Sequence, residues 1–308
     1  MKVFIRNISL FCGIIFIPLI IFSFYIFYAN YKLAADYKIE SNINTLVIGD
    51  SHTQKAINDR YFPNAINLSQ SSECFIYSYS KLLEILKHHP NIKTVLLGCS
   101  FHSFSSYYDE FVFGKYGAET SARYFFIMPL TLKLEFLLKN NNLTGRYLLQ
   151  ILSNGITNLG VRSWQYSFLG NYEAYRTSVK LSEQSIRKRV NTHYFQQGKM
   201  DGFSSLNVYY LSKVVELCKE RKIKLILLNT PMHKYYIENV PGKFKDKFYS
   251  LIKSKKLNLI EFEKLKLDDS CFLPDGDHVN EEGARLTTLF LVNVLKPANS
   301  AKMEGVFE

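Results

Sequence analysis

The chain has 308 residues, of which 47% are hydrophobic and 21% charged. That balance excludes a disordered chain, a collagen and a small disulfide-stapled scaffold, and the length suits one large domain or two small ones. The net charge of +11, from 38 Lys and Arg against 27 Asp and Glu, favours anionic surroundings: phospholipid headgroups, acidic glycans or nucleic acid. No basic run, zinc-finger spacing or recognition-helix pattern accompanies it, so nucleic acid is not expected as a partner. Cys12, Cys74, Cys99, Cys218 and Cys271 are scattered without a C-x-x-C pair, which argues against a redox motif, a zinc knuckle or a disulfide framework.

The first element decides the compartment. Residues Ile8 to Tyr28 carry no charge, and a helix of that length spans about 31 Å, close to the hydrocarbon thickness of a bilayer. A cleaved signal peptide would have a shorter apolar region ending in a small-x-small site. This run ends instead in Phe24-Tyr25-Ile26-Phe27-Tyr28, the composition of an interfacial belt. An uncleaved anchor over residues 1–30 is expected, with a linker over 31–43. Lys2, Arg6 and the terminal amine precede the span, whereas Lys32, Asp36, Lys38 and Glu40 cancel after it. The positive-inside rule then leaves the rest of the chain outside the cytoplasm. A single span is predicted, because no other stretch is long and apolar enough.

Beyond the linker, strand and helix signals alternate. Thr45 to Ile48 is a short apolar run closed by Gly49, and Ala65 to Leu68 a second strand. Phe75 to Lys87 has apolar residues at helical spacing, and Thr94 to Leu97 is a third strand. A helix over Leu206 to Arg221 leads into a strand over Ile223 to Leu228. Another helix over 243–255 leads into a strand over Leu257 to Phe262, and a helix from Glu281 to Leu295 closes the domain. The alternation predicts an α/β, three-layer sandwich with a central parallel sheet of about five strands over residues 44–298, followed by a tail over 299–308. The stretch 103–200 interrupts it, is rich in Tyr and Phe, and holds the one tryptophan, Trp164. It reads as a large helical insertion with its own small core, or as a lid or docking subdomain. Its Phe125-Phe126-Ile127-Met128 patch could also rest on the membrane.

Two segments carry chemistry. Gly49-Asp50-Ser51-His52-Thr53 directly follows the first strand, at the carboxyl edge where such sheets bind ligands. Ser51 alone would read as a helix cap. Pro274-Asp275-Gly276-Asp277-His278 precedes the last helix, and its spacing lets one turn present Asp275 and His278 together. A serine nucleophile needs a base to take its proton, and the base needs a carboxylate to hold its tautomer. Ser51, His278 and Asp275 supply all three roles. His52, His102 and His233 sit at strand ends and are candidates for substrate contact. No metal-ligand spacing and no phosphate loop is present, and no cofactor is expected.

At this point the chain resembles the SGNH (GDSL-type) hydrolase superfamily over roughly residues 44 to 296. Gly49-Asp50-Ser51 matches its first block and Asp275-Gly276-Asp277-His278 its last. The middle blocks depart from the family pattern. Ser72 stands where the second block has an oxyanion-binding glycine, and Ser100 where the third block has an asparagine. The resemblance implies an acyl-enzyme mechanism with Ser51, Ser72 and Ser100 at the oxyanion hole. An anchored, outward-facing member would sit in a bacterial inner membrane. It would act as an esterase or O-acyltransferase on an extracytoplasmic glycan, with a multi-span membrane acyltransferase as a possible partner. The other reading is a non-catalytic envelope protein that keeps the fold and binds a glycan or such a partner.

Overall fold

The computed structural model describes residues 1–139, 144–161, 167–177 and 179–296. Trp164 and the tail over 299–308 lie outside the described residues. Five strands form one parallel sheet: β1 (Thr45–Ile48), β2 (Ala65–Asn67), β3 (Thr94–Gly98), β6 (Lys224–Asn229) and β7 (Asn258–Glu261), in the order β2-β1-β3-β6-β7. Every neighbouring pair is parallel, with Val47 opposite Leu96 and Leu96 opposite Ile226. The short all-apolar runs fit a sheet covered on both faces.

Alternation along each strand sorts the side chains into two cores. Leu46, Ile48, Val95, Leu97 and Leu227 point into the larger one. It is closed by α3 (Phe75–His88), α8 (Ser205–Glu220) and α10 (Gly242–Ser254). Val47, Leu96, Ile226 and Leu228 point the other way, against α2 (Ser51–Ala56) and α11 (Glu281–Leu295). This is the three-layer sandwich the alternation predicts.

Residues 103–200 hold α4 (Gly117–Tyr124), α5 (Leu130–Lys139), α6 (Thr144–Val161), α7 (Glu183–Tyr194) and a small hairpin of β4 (Phe195–Gln196) and β5 (Lys199–Met200). Among the described residues the separate small core expected of this insertion is absent. Tyr108, Phe125, Tyr147, Ile151 and Ile186 belong to the same apolar cluster as Leu46 and Phe75. Its aromatic residues pack on one another, as Tyr107 does on Phe111 and Phe125 on Tyr147, and the group they form is continuous with the domain's own core.

The N-terminal helix α1 runs from Lys2 to Asp36, through Pro18 and past the expected end of the span. It is long and apolar enough to cross a membrane. Its buried residues are Ile26, Asn30 and Ala34, one face at helical spacing. That face docks on the insertion, so the first part of the expected linker is helix.

Candidate active site

The site is assembled where β1 ends. Gly98 lies so close that a Cβ there would fall 1.8 Å from the Thr53 hydroxyl, and one on Gly49 would fall 2.7 Å from it. The bare backbones of both strand ends therefore let the first turn of α2 sit directly on the sheet edge. Asp50 caps that helix, its carboxylate accepting from the His52 N–H at 3.0 Å. Ser51 is then the first helical residue, and its own N–H has no acceptor within α2.

The partner loop comes from the far end of the chain. Gly276 takes a left-handed φ of 70°, which closes a tight turn between Leu273 and His278. The Leu273 N–H donates to the His278 carbonyl at 2.9 Å, and Phe272 bridges to Val279. The turn presents His278 Nε2 at 2.8 Å from Ser51 Oγ and His278 Nδ1 at 2.7 Å from Asp275 Oδ2. Because Asp275 accepts from Nδ1–H, Nε2 is left as an acceptor and the serine hydroxyl donates to it. Ser51, His278 and Asp275 thus form one continuous hydrogen-bond chain. A cavity of about 510 Å³ opens beside it, lined by Lys55, Tyr175, Arg189, Leu273 and Asp275 among others.

Behind His278 lies a buried polar cluster that sequence reading missed. His52 stacks on His278 with ring centroids 4.4 Å apart, and His102 stacks on His52 at 3.9 Å. His52 Nδ1 faces Asp50 Oδ1 at 3.3 Å and its Nε2 faces Asp277 Oδ2 at 3.0 Å. With a carboxylate at each nitrogen, both must donate, which makes the ring an imidazolium. Burial pulls the His52 pKa down, but Asp50 and Asp277 override it and lift the ring to about 9.

The charges close. Burial opposes ionisation of Asp50, but His52 and His102 hold its carboxyl well below the usual range. Burial likewise opposes ionisation of Asp277, and His278, Arg189 and His52 hold it ionised. Arg189 Nε donates to Asp277 at 2.7 Å. Two carboxylates thus meet two cations, Arg189 and His52. Burial first, then the His52 charge, push His102 down to about 4, so it stays neutral and donates to Asp50 at 3.0 Å. Tyr108 adds a second donor to the same carboxylate oxygen at 2.7 Å.

The donor atoms of Asp50, His52 and His102, and those of His52, Asp277 and His278, lie close enough to share a metal ion. Sequence spacing gave no sign of these groups. Each nitrogen facing a carboxylate is at hydrogen-bond distance, and Arg189 already neutralises Asp277, so a bound proton fits the cluster better than a divalent cation.

The remaining sequence candidates fall elsewhere. His52 and His102 are interior residues, not positions a substrate reaches. His233 caps α9 (Lys234–Asn239) and meets Asp269 at 3.1 Å, beside a separate cavity of about 700 Å³ at the ends of β6 and β7. Ser72 holds a left-handed φ of 65°, the backbone conformation that favours the glycine it replaces. Ser100 is committed to a capping box with Ser103, whose hydroxyl accepts from the Ser100 N–H at 3.0 Å. Asp277, Arg189 and Tyr108 had no sequence signal beyond residue type, since their partners lie far away in the chain.

The parallel sheet, the Gly-Asp-Ser turn on β1 and the Asp-x-x-His loop before the last helix are the features by which the chain resembles the SGNH (GDSL-type) hydrolases. No family model and no curated protein matches the chain. Solved structures similar to it include a GDSL-like lipase from Bacteroides thetaiotaomicron, with 12% identity over 86% of this chain and 97% of that one and a TM-score of 0.37. A Streptococcus pneumonia protein assigned as a platelet activating factor has 11% identity over 88% and 91%, with a TM-score of 0.41. A protein assigned to the lipolytic G-D-S-L family from Desulfitobacterium hafniense has 11% identity over 82% and 99%, with a TM-score of 0.38. The chemistry of the site is therefore read from its own side chains.

Proposed function

We propose that this chain is a membrane-anchored serine enzyme that processes acyl esters through an acyl-enzyme on Ser51. The observation that carries this reading is the chain Ser51 Oγ, His278, Asp275, at 2.8 and 2.7 Å. His278 takes the Ser51 proton as the hydroxyl oxygen attacks the ester carbonyl, then gives it to the leaving alcohol. Asp275 holds the Nδ1–H tautomer and stabilises the imidazolium that forms. The N–H groups of Ser51 and Ser72 are the oxyanion donors, one at a helix start and one on a left-handed turn. Water as the acceptor gives an esterase; a glycan hydroxyl gives an O-acyltransferase. The single span, with positive charge before it, favours a bacterial inner-membrane protein whose site faces outward onto an envelope glycan, alongside a multi-span acyltransferase. The test is labelling of Ser51 by a fluorophosphonate probe, together with turnover of p-nitrophenyl acetate. A folded protein that is inert in both would favour a binding protein over an enzyme.

A further inference from the structure

The anchor and the site share one end of the molecule. Tyr37 follows α1, and its carbonyl accepts from His89 Nε2 at 2.9 Å. Asn91 donates to the Ile43 carbonyl. His89 and Asn91 lie in the turn between α3 and β3, at the edge where strands begin. From there α1 runs back along the domain, opposite in direction to β1.

By Asn30 the helix has reached the other edge. Asn158 donates to Asn30 Oδ1 at 2.9 Å and accepts from the Ser167 N–H at 2.8 Å. The Ser167 carbonyl accepts from Gln70 Nε2 at 3.0 Å. Gln70 in turn donates its N–H to the carbonyl of Gly49, two residues before Ser51. No residue of α1 before Ile26 is buried. The free part of the span, Ile8 to Tyr25, measures about 27 Å and continues past the sheet edge that carries Ser51.

A second element points the same way. Gly155 packs against Ile26, and Asn158 pairs with Asn30. That order sends the first half of α6 toward the span. Leu149 on α6 and Leu138 at the end of α5 are each 70% exposed, and Leu148 is 41% exposed. Phe136, near the end of α5, stacks over Tyr77 in the first turn of α3, which again is the edge of the site. An apolar face of this kind, continuous with a spanning helix, suits the headgroup and acyl boundary of a bilayer.

We propose that the edge of the sheet carrying Ser51 faces the bilayer, with the α5–α6 leucines dipping into it, and that the ester attacked is one tethered in the membrane. The proposal rests on the reading of Ser51 as nucleophile and α1 as span. In the step itself the bond from Ser51 Oγ to the acyl carbon forms and the ester C–O bond breaks. His278 carries the serine proton to the leaving oxygen, and the alcohol stays in the lipid. The acyl group is left on Ser51 for water or an acceptor hydroxyl.

The test uses the full chain in phosphatidylcholine and phosphatidylglycerol vesicles. Single fluorophores are placed at Leu149→Cys and, on the opposite edge, at Lys224→Cys, both in a Cys12→Ser background. Quenching by doxyl-labelled lipid is expected to be about fivefold stronger at position 149 than at 224. Equal quenching, or stronger quenching at 224, would overturn the orientation. The activity arm compares hexadecyl acetate in the vesicles with p-nitrophenyl acetate in water. Leu138→Asn combined with Leu149→Asn is expected to lower turnover of the tethered ester about tenfold and leave the soluble ester within about twofold. Turnover of the soluble ester alone, with hexadecyl acetate inert, would refute the tethered substrate. Absence of fluorophosphonate labelling would instead remove the nucleophile, and the substrate half with it, while the quenching pattern still decides the orientation.

Discussion

Replacing His52 tests the charge balance of the site through pH. A rise in its pKa from 6.5 to about 9 means that folding favours the protonated ring by on the order of 3 kcal/mol. The folded pKa lies above the unfolded one. The contribution is therefore complete below about pH 6.5, falls as pH rises, and is gone above about pH 9. His52→Gln keeps one donor but no charge, leaving Asp50 and Asp277 to face Arg189 alone. At pH 6 the variant should be destabilised by about 3–5 kcal/mol, the cost of removing one partner from a buried ionic group. By pH 10 the wild type has lost its own proton, so the gap should narrow by on the order of 3 kcal/mol. Urea unfolding in detergent at pH 6, 7.5, 9 and 10, followed by near-UV circular dichroism, measures the gap directly. Titrations elsewhere in the chain are common to both proteins and cancel in the difference. Parallel stability curves from pH 6 to 10 would show that His52 is neutral in the fold and that the charges close in some other way.

The hydrogen-bond chain at the site predicts an ordered series. Ser51→Ala and His278→Ala should each lower ester turnover by about 10⁴-fold or more, and their double variant should be no worse, because they act as a unit. Asp275→Ala should retain more activity than either, since Asp277 Oδ1 stands 3.2 Å from the same Nδ1 and can take over part of its role. Steady-state assays on matched folded samples decide the order. Ser72→Gly should keep turnover within about threefold, because the backbone N–H donor stays, whereas Ser72→Val should destabilise by about 1–2 kcal/mol at its left-handed φ. Thermal unfolding and p-nitrophenyl acetate turnover separate the two. Gly155→Leu would place a Cβ 2.5 Å from Ile26 and 2.9 Å from Phe126, and overpacking there should cost about 1–3 kcal/mol. Faster proteolysis between Tyr28 and Asn44 in vesicles would report the loosened anchor; unchanged cleavage would mean that α1 does not dock there.

What the sequence made legible follows from distance along the chain. The strand Thr45 to Ile48 announces itself as a short apolar run closed by Gly49, and the structure buries all four of its residues in the covered sheet. The site motifs are local too. Ser51 owes its place to the residues beside it, and His278 meets Asp275 through one turn. The insertion hid its packing because its aromatic residues serve a core built by strands elsewhere, so no period within it says which face is covered. The end of α1 was readable in part. Ile26, Asn30 and Ala34 recur at a helical interval, but Lys32 among them and Asp36 after them resemble a linker.

Ser72 could not be read, because a serine gives no sign of a left-handed backbone. The cluster behind His278 was hidden most deeply, and the reason is electrostatic. Asp277 looks like a turn residue until His52 and Arg189 arrive from far away in the chain. A buried carboxylate acquires meaning only with the cation that answers it. Pairing the buried charges across the fold, and asking which group must hold a proton for them to cancel, turns His52 from a neighbour of the nucleophile into the cation that ties the Ser51 turn to the His278 loop.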